Sequence, residues 1–84
     1  MSPRRAVTLY TRTGCHLCEV VKGVLEQVRQ ERDFDLTTID VDTDPELVRL
    51  YGEEVPVVAV DGRKAFKYRV DPEALRARLD RGTE

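Results

Sequence analysis

Two cysteines, Cys15 and Cys18, and the only histidine, His16, stand within four residues of one another in this 84-residue chain. Cys-His-Leu-Cys is a C-x-x-C motif, and two chemistries use that spacing. One is thiol–disulfide exchange, in which a thiolate is the nucleophile and a second thiol resolves the mixed disulfide. The other is metal or iron–sulfur binding. Zinc takes four ligands, so a closed site within one chain would need a distant carboxylate as well. Two chains could instead share a Zn²⁺ or a [2Fe–2S] centre through Cys15 and Cys18. The setting of the motif favours the redox pair.

That setting is read from the flanking elements. Residues 6–11, Ala-Val-Thr-Leu-Tyr-Thr, are rich in β-formers and predict a strand. After the break at Arg12-Thr13-Gly14, Leu17, Val20, Val21, Val24, Leu25 and Val28 recur at helical spacing, a stripe expected to face a core. Gly23 interrupts it, and close packing would be one reason for a glycine there. C-x-x-C thus follows a strand and opens a helix. Residues three apart on a helix share a face, so the two sulfurs can meet. Cys15 would sit among unpaired backbone N–H groups at the positive end of the helix, which favours thiolate over thiol. Gly14 permits the tight turn into the helix. His16 is placed to tune the pKa of Cys15. Cys18, one turn in and beside the apolar stripe, is expected to be less exposed.

Further elements follow. Residues 34–41 predict a second strand, and Asp44-Pro45 starts a short helix, with the proline at its first position and Gly52 as its stop. Residues 55–60, Val-Pro-Val-Val-Ala-Val, predict a strand buried on both faces. Asp61-Gly62 predicts a tight hairpin, and residues 63–69 the return strand, with edge charges. Asp71-Pro72 opens a last helix to about Arg81, with Leu75 and Leu79 inward. The order β-α-β-α-β-β-α predicts a small mixed sheet of four strands with helices on both faces. One domain over residues 1–84 is expected, with residues 1–5 and 82–84 frayed.

Composition removes other classes. Fourteen Lys and Arg against sixteen Asp and Glu give a net charge of −2, which provides no basic footprint for nucleic acid. No apolar run approaches a membrane span, and the first residues lack the apolar segment of a signal peptide, so a cytoplasmic, monomeric protein is expected. In a reducing compartment a cysteine pair is not a lasting structural staple.

The segment from Leu9 to Cys18, Leu-Tyr-Thr-Arg-Thr-Gly-Cys-His-Leu-Cys, resembles the active-site segment of glutaredoxin-like proteins of the thioredoxin superfamily. Val55-Pro56, opening an apolar strand, resembles that superfamily's cis-proline, and the element order matches along essentially the whole chain. The resemblance implies a thioredoxin-like, glutaredoxin-type α/β fold and a dithiol–disulfide oxidoreductase that exchanges a Cys15–Cys18 disulfide with protein or small-molecule disulfides. It implies Cys15 as nucleophile, Cys18 as resolving thiol, a cis bond at Pro56, and a Val55 backbone that pairs with substrate like an added strand. Arg12 is expected to meet the glycyl carboxylate of glutathione. No resident cofactor or metal is implied. The partners implied are a disulfide-containing substrate and an electron donor, either glutathione or a thioredoxin-reductase-type system.

The departures from the family are specific. His16 stands where most glutaredoxins carry Pro, and Gly14 where thioredoxins carry Trp. The Gly-Gly and acidic residue that hold the γ-glutamyl end of glutathione are replaced by Lys67-Tyr68-Arg69-Val70-Asp71. Asp71 is explained as a helix cap, and Lys67 and Arg69 as edge charges that could also steer acidic partners. Glutathione is therefore expected to bind weakly. Tyr10 is expected as a strand-end core aromatic, and Lys22 on a solvated helix face.

Overall fold

The computed structural model describes residues 5–80. In chain order it has strand β1 (Arg5–Thr11), helix α1 (His16–Arg29), strand β2 (Phe34–Asp40), a single 3₁₀ turn (Val41–Thr43), helix α2 (Pro45–Tyr51), strands β3 (Val57–Val60) and β4 (Arg63–Lys67), and helix α3 (Pro72–Asp80). The sheet order is β2-β1-β3-β4. β1 runs parallel to β2 and antiparallel to β3, and β3 pairs antiparallel with β4. This is the mixed four-stranded α/β arrangement of a thioredoxin-like fold, as the element order predicts.

The parallel pair requires a crossover, and α1 supplies it. Val7 and Leu9 of β1, Val58 and Val60 of β3, Val21, Leu25 and Val28 of α1, and Leu75 and Leu79 of α3 form one buried cluster with Phe34 and Val70. α1 and α3 thus share one face of the sheet. Neighbouring strand residues alternate faces, so Tyr10 points to the other side, where its ring stacks on Tyr51 of α2. All four residues of β3 are buried, since this central strand is covered on both sides. Ion pairs Arg32–Asp80 and Arg76–Glu31, both 2.8 Å or shorter, join α3 to the loop after α1. Exposed pairs of this kind contribute little each.

The hairpin forms at Asp61-Gly62, where both residues have positive φ, 53° and 84°. Such a turn matches the twist of the flanking strands. The Asp61 carboxylate accepts the Ala6 amide at 2.9 Å and pairs with Arg5, tying the hairpin to the start of β1. Asp44 caps α2 by accepting the Glu46 amide at 2.9 Å, and Asp71 caps α3 by accepting the Ala74 amide at 3.3 Å.

Several boundaries differ from the sequence reading. Arg5, expected in the frayed end, is the first residue of β1 and pairs with Phe34; residues 1–4 and 81–84, including the remaining frayed ends and Arg81, lie outside the described residues. β2 stops at Asp40, because the Asp40 side chain accepts the Asp42 amide at 2.9 Å and turns the chain into the 3₁₀ turn, burying Val41. β3 begins at Val57, two residues after the expected start. β4 ends at Lys67, because Tyr68 takes a φ of 69°. Gly52 ends α2 with a right-handed φ of −54° and not in the left-handed region; its glycine is required by space, since a Cβ there would lie 2.5 Å from the Val48 carbonyl oxygen. Gly23 has no such reason, with nothing within 4 Å of where a Cβ would stand. Leu17 and Val20, at the start of the predicted apolar stripe, are 43% and 50% exposed.

Candidate functional site

The site is built at the end of β1. After Thr11 the chain turns through Gly14, whose φ of 80° suits a residue without a side chain. Cys15 follows in extended conformation, with φ −88° and ψ 110°, and is itself the N-cap of α1. Its Sγ accepts the backbone N–H of Cys18 at 3.1 Å. This bond replaces the hydroxyl or carboxylate that usually caps a helix, so the sulfur satisfies one of the first-turn amides. Cys15 and Cys18 are paired in a disulfide with their Cα atoms 5.2 Å apart, within the ordinary range for such a bridge.

The two sulfurs have unequal surroundings. Cys18 is 1% exposed, packed at the edge of the core, whereas Cys15 is half-buried at the protein surface. His16 opens α1 directly after Cys15 and is exposed, as is Lys22. Val55 and Pro56 immediately precede β3, and Val57 lies opposite Tyr10 in the sheet. The register therefore brings Pro56 to the same end of the sheet as the cysteine loop. The Val55–Pro56 peptide bond is cis, Pro56 is buried, and Val55 is half-buried. The Pro56 carbonyl accepts the Tyr68 amide at 2.8 Å. Among the described residues the Val55 backbone N–H and carbonyl have no hydrogen-bond partner.

Arg12, expected to meet a ligand carboxylate, is engaged by partners within the chain. Its Nε and Nη2 bond the two Asp42 oxygens at 3.2 and 2.8 Å, and its Nη1 donates to the Gly52 carbonyl at 3.1 Å. A planar fork facing a carboxylate on two edges is the geometry guanidinium prefers. Arg12 thereby fastens the cysteine loop to the 3₁₀ turn and to the end of α2. Thr13 adds a bond to Asp40 at 3.2 Å. Tyr10, expected in the core, is half-buried against Tyr51, with ring centroids 4.5 Å apart; burial first, and Tyr51 second, push its phenol above the usual value.

Sequence reading did not find Asp42, Gly52 or Tyr68 as parts of this neighbourhood. Asp42-Thr43-Asp44-Pro45 reads as helix-start chemistry, and the partnership of Asp42 with Arg12, thirty residues away, has no local signature. Tyr68 belongs to the segment that replaces the resembled family's Gly-Gly turn, but the sequence assigns it no role of its own.

On the opposite flank, Lys67 lies 3.7 Å from Glu54 and 5.5 Å over the Tyr68 ring. The Lys64 ammonium, 2.7 Å from Glu54, together with Lys67, holds that carboxyl below the usual carboxylate range. Among the described residues no three His, Cys, Asp or Glu side chains gather as a metal-binding group, and no helix is long and apolar enough to cross a membrane.

With this geometry in view, the comparisons are consistent. An uncharacterized protein of Mycobacterium tuberculosis (strain H37Rv) is 40% identical over 85 residues, covering 95% of this chain and 88% of its own. The solution structure of protein Ne2328 from Nitrosomonas europaea matches with a TM-score of 0.82 at 30% identity, covering 95% and 96% of the two chains. A thioredoxin mutant of Halobacterium salinarum, at 23% identity and a TM-score of 0.69 over 90% of this chain and 72% of its own, shares the fold. A glutaredoxin-like thioredoxin fold with a C-x-x-C pair at disulfide distance supports a redox function in general terms. The family model for the Glutaredoxin-like domain (DUF836) matches residues 6–80, and the chain belongs to that family.

Proposed function

We propose that this protein is a dithiol–disulfide oxidoreductase in which Cys15 attacks and Cys18 resolves. The observation that carries this reading is the asymmetry of the pair: Cys15 caps the helix with its sulfur on the Cys18 amide, while Cys18 is buried. After reduction, the same amide and the positive helix end favour a Cys15 thiolate. That thiolate attacks one sulfur of a substrate disulfide. A Cys15–substrate bond forms, the substrate S–S bond breaks, and the second substrate sulfur leaves as a thiolate that takes up a proton. Cys18 then loses its proton and attacks the Cys15 sulfur, releasing the first substrate sulfur as a thiol and leaving the Cys15–Cys18 disulfide. The substrate gains two electrons and two protons, and a dithiol donor protein returns them to the pair.

The unpaired Val55 backbone suits strand-like pairing with an extended substrate beside Pro56. His16, exposed next to the nucleophile, is its nearest titratable neighbour in sequence. Glutathione is a poor donor in this reading. Arg12 is already bonded to Asp42 and Gly52, and Lys67-Tyr68-Arg69 occupies the place of the Gly-Gly turn. Each lost charge-assisted hydrogen bond corresponds to roughly ten- to a hundredfold in affinity.

The test is steady-state reduction of one protein disulfide with glutathione and with a dithiol donor protein in turn, for wild type and Cys15→Ser. The reading expects turnover with the dithiol donor, slow turnover with glutathione, and none with Cys15→Ser. Full activity of Cys15→Ser would overturn it. So would stoichiometric iron with visible sulfur-to-iron absorption in freshly purified protein and no reductase activity, which would make the same thiolates cluster ligands.

A further inference from the structure

Three of the four large apolar side chains that stand exposed among the described residues lie on one side of the cysteine pair: Leu17 at 43%, Val20 at 50% and Tyr68 at 44%. Single exposed apolar residues are ordinary, but a contiguous group beside a reactive residue is not. These three converge with Val24 and Val70 on a half-open groove of about 310 Å³ between the first turns of α1 and the link from β4 to α3. Leu17, one of the lining residues, lies between the two cysteines in sequence, so one end of the groove is at the C-x-x-C turn.

The Tyr68 backbone is in an unfavourable region. Its φ of 69° places a bulky residue in left-handed space, which glycine adopts freely and an aromatic residue does not. Two hydrogen bonds hold it there: its own amide to the Pro56 carbonyl at 2.8 Å, and the Arg69 amide to the Lys67 carbonyl at 2.7 Å, which closes a three-residue turn around it. Strain held in place by surrounding bonds is a feature of ligand clamps. Here it makes Tyr68 part of the wall of the groove and ties that wall to Pro56.

Among the described residues Arg69 is the one charged side chain lining the groove. It is exposed and has no ion pair among the described residues. Lys67 stands next to the Tyr68 ring. The nearest acid by sequence, Asp71, caps α3, and no acidic residue lines the groove among the described residues. An apolar trough with a cation at its rim matches an apolar side chain followed by an acidic one.

We propose that this groove is the docking surface for an extended segment of a protein disulfide substrate, taking a bulky apolar side chain beside the attacked cysteine against Leu17, Val20 and Tyr68, with an acidic residue on Arg69. The proposal rests on the reading of Cys15 as nucleophile and names the class of substrate for it.

The test uses reduced Cys18→Ser protein and short peptides, each carrying one cysteine capped as a mixed disulfide with 2-mercaptoethanol. The residues flanking the cysteine are Leu and Glu, Leu and Lys, or Ser and Glu. Rates of mixed-disulfide formation are followed by mass spectrometry. Each is divided by the rate of bis(2-hydroxyethyl) disulfide with the same variant, which removes general changes in Cys15 reactivity. The Leu/Glu peptide should exceed the Ser/Glu peptide by about tenfold. Val20→Ser and Tyr68→Gly should each remove most of that advantage. Arg69→Glu should reverse the preference between Glu and Lys, and the wild-type preference should fall with salt. Equal normalised rates for all peptides would overturn the proposal, as would an advantage that survives both apolar variants. So would a concentration-dependent dimer abolished by Val20→Glu, which would give this face to a second copy of the chain. If no disulfide reacts, the reading of Cys15 fails. The groove is then judged by NMR titration with the Leu/Glu peptide carrying Ser for Cys: shifts at the Val20 and Tyr68 amides support it, and none rejects it.

Discussion

The two flanks of the cysteine pair are finished in opposite ways. On the α2 side, Arg12, Thr13, Asp40, Asp42 and Gly52 form a closed polar network in which the guanidinium has partners on three nitrogens. On the α3 side, Leu17, Val20 and Tyr68 stand exposed among the described residues. The first flank holds the cysteine loop in place; the second presents surface beside it. A polar network satisfied within the chain has little left to offer a ligand, whereas an uncovered apolar groove gains by being covered. Position of the loop and recognition of substrate are thus assigned to different sides of Cys15.

Substitutions separate these assignments. Gly52→Ala should have the largest effect on stability, because the new methyl group meets a backbone oxygen. A loss of about 1–3 kcal/mol is expected, measured by urea denaturation. Arg12→Met releases the same anchor from its other end and should also lower Tm. If both variants kept wild-type Tm, the polar flank would not be holding the loop. Tyr68→Gly has the opposite sign. It relieves an unfavourable φ while adding glycine entropy to the unfolded chain, for a net gain of about 1 kcal/mol in stability, despite the loss of a large side chain. A clear loss of stability would mean that Tyr68 is structural and that the flanks do not differ as described.

Gly23→Ala probes α1 away from both flanks. With open space at the new methyl group, it should stabilise by about 0.5–1 kcal/mol in thermal or urea unfolding. A smaller effect is expected from Asp61, at the far end of the sheet. The Ala6 amide first, and Arg5 second, hold its carboxyl below the usual carboxylate range. A depressed folded pKa means stability that is full above the unfolded value and lost as pH falls through the folded one. Wild type should therefore lose slightly more stability than Asp61→Asn between pH 5 and about pH 3, with Asn still suited to the positive φ of the turn.

What could be read from the sequence follows from how local each cause is. C-x-x-C at a strand–helix junction, Asp-Pro before α2 and α3, and Asp-Gly between β3 and β4 are all signatures within four residues, and each is where the structure has it. The exposure of Leu17 and Val20 was not legible, because helical spacing shows that residues share a flank and not whether a neighbour covers it. The β4–α3 link leaves them open, and only the tertiary arrangement shows that. Arg12 looked available for the same reason: its partners, Asp42 and Gly52, are thirty and forty residues away. The early end of β4 turns on a single residue, Tyr68, whose positive φ contradicts its own preference and is imposed by bonds to Pro56 and across Lys67-Arg69.

The central claim is that the helix-capping cysteine is the nucleophile and the buried one is the resolving thiol. The direct measurement is the alkylation rate of each cysteine in the reduced protein with iodoacetamide, resolved by peptide mass spectrometry from pH 5 to pH 9. Cys15 should react quickly below pH 8, its rate rising through a pKa lower than that of an ordinary thiol, while Cys18 reacts slowly throughout. Equal rates at the two positions, or faster modification of Cys18, would contradict the account.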